Sequence, residues 1–498
     1  MKRVFTTFWM FFTVFSAIFA QKITHVNVNK PNVNLRGNAV VLAQMTINAP
    51  EAGKVILRFD GHCLSSPGDR IVLAASSSTN WGANDGNVEI EAASDDINSN
   101  TFSHTRAYDV AAGEHVYYAI AQNHAETDGS GVASVFGTLT AQWFPETPGK
   151  AFARHIGFFS ENIYVEGGPV AFNALTIQAP VSGKVLVRFD GKCVSSYGDL
   201  IFFAASNTLS WTNFDGSTSN EVIDNDLNRF SFSHVRTYNV APGSHTYYAI
   251  AENFFEIYGN GFASIYGSLT VEFYPDAVAS SVVLKRISTQ LAETIDGPPV
   301  ILATITMDAP SAGKVALNFV GTCVGNNGDQ IRLAASDIPN WSAEDGAIRF
   351  EPYSSDLNRV SFSHTRVYDV QPGSHDYYAV IQNVEEFDGS GLAVVYGSLT
   401  AKFVSDGTSE TYTPADWASV SIMPNPATDV VTLQFSDLAH EALEIRLIDQ
   451  TGRVVKTVVK TATEYMESLR WDISALPSGQ YFVQFVTDGG QVMRALVR

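Results

Sequence analysis

Gly53-Lys-Val-Ile-Leu-Arg-Phe-Asp-Gly-His-Cys63 returns as Gly183-Lys-Val-Leu-Val-Arg-Phe-Asp-Gly-Lys-Cys193, and again between Gly313 and Cys323. The three cysteines of the chain therefore stand 130 residues apart, since 193 − 63 and 323 − 193 are equal. The register holds far from this stretch. Ser103-His-Thr-Arg-Ala-Tyr-Asp-Val110 recurs from Ser233 and Ser363, and Gly137-Thr-Leu-Thr140 recurs from Gly267 and Gly397. Even the loops keep their length, so the segment is three tandem copies of one domain, 22–148, 152–278 and 282–406. Solenoid units run about 20–50 residues, and these copies are long enough to be globular domains in their own right.

Each copy reads as β. In Lys184-Val-Leu-Val-Arg-Phe-Asp190, Val185, Val187 and Phe189 point one way, while Leu186, Arg188 and Asp190 point the other. That alternation predicts half-buried strands. Turn clusters such as Ser196-Tyr-Gly-Asp199 and Ala241-Pro-Gly-Ser244 separate the runs. Many short strands in a domain of this length predict an antiparallel β-sandwich, jelly-roll-like in each copy.

The order of elements resembles the C1q/tumour-necrosis-factor jelly roll. Ala49-Pro50-Glu-Ala-Gly53-Lys-Val-Ile-Leu-Arg-Phe59 is similar to its early strand. Val110-Ala-Ala-Gly113-Glu-His-Val-Tyr117 and Ser134-Val-Phe136-Gly137-Thr-Leu139 are similar to its late ones. Such domains trimerise about a threefold axis, so the resemblance implies either a pseudo-trimer within one chain or, failing that, a string of beads.

The two ends carry addresses. Lys2 and Arg3 precede an apolar run from Val4 to Phe19 that closes at Ala20, the pattern of a cleaved signal peptide over 1–20. Beyond the repeats, 407–416 is a polar linker, and 417–498 has a new β pattern. It holds Pro424-Asn-Pro-Ala-Thr-Asp429, Asp449-Gln-Thr-Gly-Arg453, Leu476-Pro-Ser-Gly-Gln-Tyr-Phe-Val483 and a terminal Arg494-Ala-Leu-Val-Arg498 strand, in that order. This resembles the C-terminal sorting domain of type IX secretion cargo. The resemblance implies a small Ig-like sandwich read by the outer-membrane translocon, and a protein released outside or held at the outer-membrane surface. After signal cleavage no remaining segment has the length and apolarity of a transmembrane helix.

A net charge of −20 excludes nucleic acid and anionic lipid as natural partners, because a polyanion repels phosphate. Solubility outside the cell accounts for the acidity. Asp-rich loops that bind calcium are the sharper alternative, and no other cofactor is indicated.

Two triplicated constellations are candidate ligand sites. Trp81 with Asp85, Trp211 with Asp215 and Trp341 with Asp345 place an indole beside an Asp-Gly turn, suited to stacking on a sugar ring. The alternative is a Trp capping the sandwich. His104 and Arg106, His234 and Arg236, His364 and Arg366 lie at strand spacing i, i+2, followed at i+4 by Tyr108, Tyr238 and Tyr368. A second histidine follows in each copy (His115, His245, His375). These groups suit an anion, a glycan or a pair of metal-binding histidines, or else a hydrogen-bonded sheet face or a contact between copies. No carboxylate or Cys completes a metal set at recognisable spacing. The Gly-x-Cys strand end reads as a buried thiol.

No nucleophile elbow, His-Glu-x-x-His, phosphate loop or Cys-x-x-Cys is present, and recognition modules gain avidity from triplication. The sequence therefore points to a non-enzymatic adhesin or glycan-binding protein with three equivalent sites, its ligand a glycan or a surface protein. The alternatives are a structural surface or matrix protein whose repeats self-associate, and a secreted polysaccharide hydrolase.

Overall fold

The computed structural model describes residues 21–498, excluding 81–85, 92–98, 127–129, 147–149, 212–215, 223–228, 257–260, 277–280, 288–292, 295–297, 327–328, 342–345, 352–358, 387–390, 406–420, 424, 437–441, 450–452, 462–465 and 488–489. The expected signal peptide and the linker over 407–416 lie outside the described residues. Every named element is a strand, and the chain divides into two compact units that part between Gly407 and Thr408. No helix among the described residues is long and apolar enough to cross a membrane.

The first repeat contributes β1 (Lys22–Asn34), β2 (Val40–Ala49), β3 (Gly53–Ser65), β4 (Asp69–Ser76), β5 (Val88–Glu91), β6 (Ser99–Val110), β7 (Gly113–Glu126) and β8 (Val132–Pro145). They form two antiparallel sheets, β1-β8-β3-β6 and β2-β7-β4-β5. The pairs 1 with 8, 2 with 7, 3 with 6 and 4 with 5 nest inside one another, which is the strand order of a jelly roll. Val55, Leu57, Phe59 and Cys63 of β3 fill the space between the sheets against Met45, Ile47, Ile71, Leu73 and Tyr117.

The second repeat repeats the plan with β9 (Phe152–Tyr164), β10 (Val170–Ala179), β11 (Gly183–Ser195), β12 (Asp199–Ser206), β13 (Thr218–Glu221), β14 (Arg229–Val240), β15 (Gly243–Glu256) and β16 (Phe262–Pro275). The third does so with β17 (Val282–Ile287), β18 (Glu293–Thr294), β19 (Val300–Ala309), β20 (Gly313–Val324), β21 (Asp329–Ser336), β22 (Ile348–Phe350), β23 (Arg359–Val370), β24 (Gly373–Glu386) and β25 (Leu392–Ser405), its first strand split into β17 and β18.

The expectation of half-buried strands is overturned at the inner sheets. In β11, Val185, Val187 and Phe189 are fully buried in the sandwich core, yet Leu186, Arg188 and Asp190 on the other face are no more than 6% exposed. The second face is covered by the neighbouring repeats. The repeats are no string of beads: β6, β14 and β23 pack against one another about a common axis. Ser103 N donates to Ser231 Oγ at 3.0 Å, Ser233 N to Ser361 Oγ at 3.4 Å, and Thr101 Oγ1 to the Ser361 carbonyl at 2.6 Å, which closes the ring.

Charges sit on this axis. Asp60 pairs with Arg58 Nε at 2.7 Å and accepts from Ser103 and Thr365, both at 2.6 Å. Arg58 reaches across to Ser363 Oγ at 2.6 Å. Asp190 accepts from Thr105 and Ser233 and pairs with Arg188 at 3.9 Å. In the third repeat Asn318 replaces the arginine. Its amide oxygen accepts from Arg188 at 3.0 Å and its nitrogen donates to the His364 carbonyl and to Thr365 Oγ1. One layer along, Lys402 meets Glu272 at 3.0 Å. Arg58, Arg188 and Lys402 thus balance Asp60, Asp190 and Glu272. Burial and the nearby Arg188 pull Arg58 down to about 10, so it stays charged at neutral pH.

Away from the axis each repeat sets its fifth strand against the sixth strand of the next. Glu89 pairs with Lys192 at 2.7 Å and Arg229 at 3.2 Å, and Glu91 with Arg229 at 3.1 Å. At the next junction Glu221 pairs with Arg359 at 3.4 Å. At the third, Ser99 Oγ donates to the Arg349 carbonyl at 2.8 Å.

The C-terminal unit has two facing sheets. One is β26-β27-β30 (Ser421–Met423, Val430–Ser436, Met466–Asp472). The other is β29-β28-β31-β32 (Val454–Thr461, Ala442–Asp449, Gln480–Thr487, Gly490–Val497). Val431, Leu433, Ile445, Leu447, Trp471 and Val483 form its core.

Removing one partner of a buried, hydrogen-bonded ion pair leaves an uncompensated charge and costs about 3–5 kcal/mol. Asp60→Ala should lower stability by about that amount, read from the urea midpoint. A shift below about 0.5 kcal/mol would show that the axis does not hold the repeats together.

Candidate functional site

A cleft opens at each of the three junctions between repeats. Its floor is a cross-strand glycine pair of the inner sheet, Gly61 with Gly137 and Gly191 with Gly267 in the first two repeats. A Cβ on Gly61 would stand 2.0 Å from the Phe136 carbonyl oxygen, and one on Gly191 2.3 Å from that of Tyr266. The strands therefore approach too closely for any side chain, and the missing side chains leave a hollow that the preceding repeat roofs over. The hollows are about 640 Å³ between repeats one and two, 450 Å³ between two and three, and 720 Å³ between three and one. This is the size range of small-ligand pockets.

The roof comes from the turn after the expected Trp–Asp segment. Gly86, Gly216 and Gly346 have φ of +63°, +65° and +63°, a left-handed conformation that glycine adopts without strain. A Cβ on Gly86 would stand 3.6 Å from Arg106 Nη1 and 3.7 Å from His104 Nε2. The histidine's other nitrogen is occupied: Ala75 N donates to His104 Nδ1 at 2.9 Å, Ala205 N to His234 Nδ1 at 2.8 Å, and Ala335 N to His364 Nδ1 at 2.9 Å. An Nδ1 that accepts puts the proton of a neutral imidazole on Nε2, the atom facing the cleft.

The expected His–Arg–Tyr ladder therefore divides its tasks. The histidines tie the inner sheet to the outer one, as do the tyrosines: Tyr108 packs on Tyr117 and Tyr238 on Tyr247, both with ring centroids 5.4 Å apart. Arg106 and Arg366 line their clefts, and Arg366 Nη1 donates across the junction to Asn27 Oδ1 at 3.3 Å. Arg236 does not line the cleft of its own junction, where Val235, Ile287 and Val320 stand instead.

Trp81, Asp85, Asp215 and Asp345 lie outside the described residues. The two described indoles are half-buried and anchored. Trp211 Nε1 donates to Glu252 at 2.6 Å and its ring stacks on Phe202 at 5.5 Å. Trp341 Nε1 donates to Gln382 at 2.7 Å, with the Arg332 guanidinium 4.7 Å from its ring. Trp211 also lines its cleft, together with His234 and Tyr396.

The three sites are not equivalent, contrary to the sequence expectation. At the corresponding floor position stand Lys192, Thr322 and His62, and beside it Tyr266, Tyr396 and Phe136. Each junction presents different chemistry because the residues facing the neighbour differ in charge and polarity, whereas core positions such as Leu73, Phe203 and Leu333 stay apolar.

The second histidine, near the start of its strand, closes the preceding turn: Nε2 of His115, His245 and His375 donates to a carbonyl four residues back at 2.8, 2.7 and 2.7 Å. Among the described residues no three His, Cys, Asp or Glu side chains gather to hold a metal ion. The buried Asp69 accepts from Asn123 Nδ2 at 2.6 Å and Gly131 N at 2.9 Å, and Asp199 and Asp329 do the same with Asn253 and Asn383. A carboxylate ringed by N–H donors is a turn anchor and not a cation ligand. Cys63, Cys193 and Cys323 are free and buried in separate cores, and burial raises all three thiols.

His62 stacks on Phe136 at 5.1 Å in the cleft between repeats three and one. Burial, with Arg349 and Arg332 nearby, lowers it to about 3. His155, beside Arg106 and Lys54, is lowered by burial to about 3 as well. Between their ordinary value of 6.5 and about 3 the unfolded chain binds protons that the folded one refuses, so stability falls as pH falls through that window. Each histidine should contribute a slope of about 1.4 kcal/mol per pH unit there. Urea midpoints from pH 7 to 4.5 should show this fall, and His62→Phe should flatten it; an unchanged slope would exclude His62 as a source.

Compared with known proteins, residues 421–498 match the family model described as a secretion system C-terminal sorting domain. No curated protein matches the chain. Among solved structures, the chain is similar to dimeric latent PorU from Porphyromonas gingivalis at 14% identity and TM-score 0.15. That match covers 69% of this chain and only 34% of PorU. PNGase F, a glycosylasparaginase from Flavobacterium meningosepticum, matches at 10% identity and TM-score 0.25, covering 51% of this chain and 96% of that one. A triple jelly-roll protein of an archaeal virus matches at 10% and TM-score 0.20, covering 78% and 91%. At such scores the likenesses say nothing about activity. The sorting motifs fall on structural joints. Asp449 caps its hairpin by accepting from Arg453 N at 3.1 Å, and Val497 N donates to Asn425 Oδ1 at 2.9 Å. The C-terminal unit is a type IX sorting domain, and it directs this protein to the cell surface or beyond.

Proposed function

We propose that the protein is a non-enzymatic adhesin of the cell surface or its surroundings that takes glycan ligands in the clefts between its repeats. The observation that carries this reading is the recurrence of one cleft at all three junctions. Each has a neutral histidine aimed in from one repeat and an aromatic ring supplied by the next. All three clefts add an arginine (Arg106, Arg359 and Arg366), and the one between repeats two and three also holds the Trp211 indole stacked on Phe202. Rings for stacking among a few fixed polar groups suit sugars. The proposed likeness of the repeats to C1q/tumour-necrosis-factor domains belongs to the same reading, supported by the jelly-roll order and the packing of three copies about an axis. Cleavage after Ala20 belongs to it too.

On a glycan array the intact protein should bind a defined set of sugars. An Arg106→Gln/Trp211→Ala/Arg366→Gln triple variant should lose at least tenfold in affinity while keeping the β-sheet circular-dichroism spectrum of the intact protein. Release of reducing ends from a bound polysaccharide would replace this reading with a hydrolase.

Export depends on the C-terminal unit, whose last strand, β32, is the outer strand of its sheet, tied near its end by Val497 to Asn425 and Ala427. Deleting residues 490–498 from the full chain should leave the protein inside the envelope, as judged by cell fractionation. Undiminished appearance outside would show that this edge is not what the translocon reads.

A further inference from the structure

The second repeat carries a surface feature absent from the other two. Where β9 runs beside β16, Phe159 lies opposite Tyr266 and Tyr164 opposite Phe262, with ring centroids 4.4 and 5.2 Å apart. Phe159, Tyr164 and Phe262 are 55%, 51% and 43% exposed. In a regular strand, residues 159 and 164 would face opposite ways, because their spacing is odd. A β-bulge corrects this. Asn162 takes φ +50° and donates its N–H to Ser264 Oγ at 3.0 Å, and the register shifts between Ala263 and Ile265. The extra residue brings both aromatic pairs to one face. The corresponding positions, 130 residues away, are Asn29, Asn34, Val132 and Phe136 in the first repeat and Thr289, Thr294, Leu392 and Tyr396 in the third.

The two pairs stand about 14 Å apart along β16, four residues at about 3.4 Å each. Carboxylates flank them: Tyr164 Oη donates to Glu166 at 2.5 Å and Tyr266 Oη to Glu161 at 3.3 Å. The core of a protein interface is depleted of charge, whereas here each ring pair has its own carboxylate and a polar Ser264–Asn162 step lies between them. The same carboxylates repel an anionic chain, and the cation beside them, Lys192 with its Nζ 4.7 Å from the Tyr266 ring, is already paired with Glu89. Ring faces alternating with strong acceptors match a ligand whose apolar ring faces alternate with hydroxyl donors.

We propose that this strip is a binding platform for a neutral, linear glycan, whose rings stack on the two aromatic pairs and whose hydroxyls donate to Glu161 and Glu166. It rests on the glycan-binding reading above but uses an exposed strand surface, which meets the junction cleft only at Phe159 and Tyr266.

The test is isothermal titration of the intact protein with cellohexaose, xylohexaose and mannohexaose, with a polygalacturonate oligomer as the anionic control. At least one neutral chain should bind, and Tyr164→Ala/Phe262→Ala should weaken it at least tenfold. Glu161→Gln/Glu166→Gln, which leaves the rings in place, should weaken the same ligand and so guards against a folding defect in the first variant. Failure of every neutral chain to bind, or preference for the anionic one, overturns the platform. Concentration-dependent dimerisation that is lost in the double aromatic variant would assign the strip to self-contact and also overturn it. Binding abolished by Trp211→Ala but untouched by Tyr164→Ala/Phe262→Ala overturns the platform and leaves the cleft reading standing. Array binding by the clefts without hexasaccharide binding does likewise, and no glycan bound in either format ends both.

Discussion

The repeats are aligned by a polar axis in which buried cations and anions cancel, beside an apolar cluster of Ile56, Phe144, Leu186, Val235, Tyr274 and Val320 that joins all three. Arg58, Arg188 and Lys402 face Asp60, Asp190 and Glu272 between three inner sheets. Burial alone would raise Glu272, but Lys402 and the Tyr274 hydroxyl hold it below the usual carboxylate value. Such pairs add little net stability over an apolar core, because desolvation offsets their attraction. Their force is in what they forbid. A repeat displaced along the axis, or rotated past its neighbour, would strand a charge in a medium that cannot solvate it. Strict threefold symmetry would place three guanidinium groups together, and Asn318 avoids this by offering Arg188 an acceptor.

The clefts follow from that closure. A glycine pair too tight for a Cβ hollows the face of an inner sheet, and only docking of the preceding repeat turns the hollow into a walled site. Ligand chemistry and assembly therefore draw on the same residues. Lys192 is both a cleft wall and an ion-pair partner of Glu89, while His62 is both a wall and a buried neutral base. The core faces of the repeats are nearly interchangeable, and the junction faces are not.

In the C-terminal unit the motif residues are the ones that turn or tie the chain. Asp449 and Arg453 close a hairpin, Tyr481 Oη donates to the Pro477 carbonyl at 2.8 Å, and Gly479 exchanges backbone hydrogen bonds with Arg498 at 2.9 Å. A short motif recurs in order when it encodes local geometry, so this unit could be read from sequence in detail.

By itself the sequence determined the triplication, the β class, the strand alternation of the sandwich cores and the sorting module, because each is written in local spacing. It also singled out His104, His234 and His364, though not their division of labour with Arg106 and Arg366. Only the tertiary structure decided that Arg188 and Asp190 are buried, that the three sites differ, and that Phe159, Tyr164, Phe262 and Tyr266 share a face. The reason is physical. A polar residue on an alternating strand looks the same whether water or a neighbouring repeat covers it, and a bulge that reverses the alternation leaves no mark in the spacing.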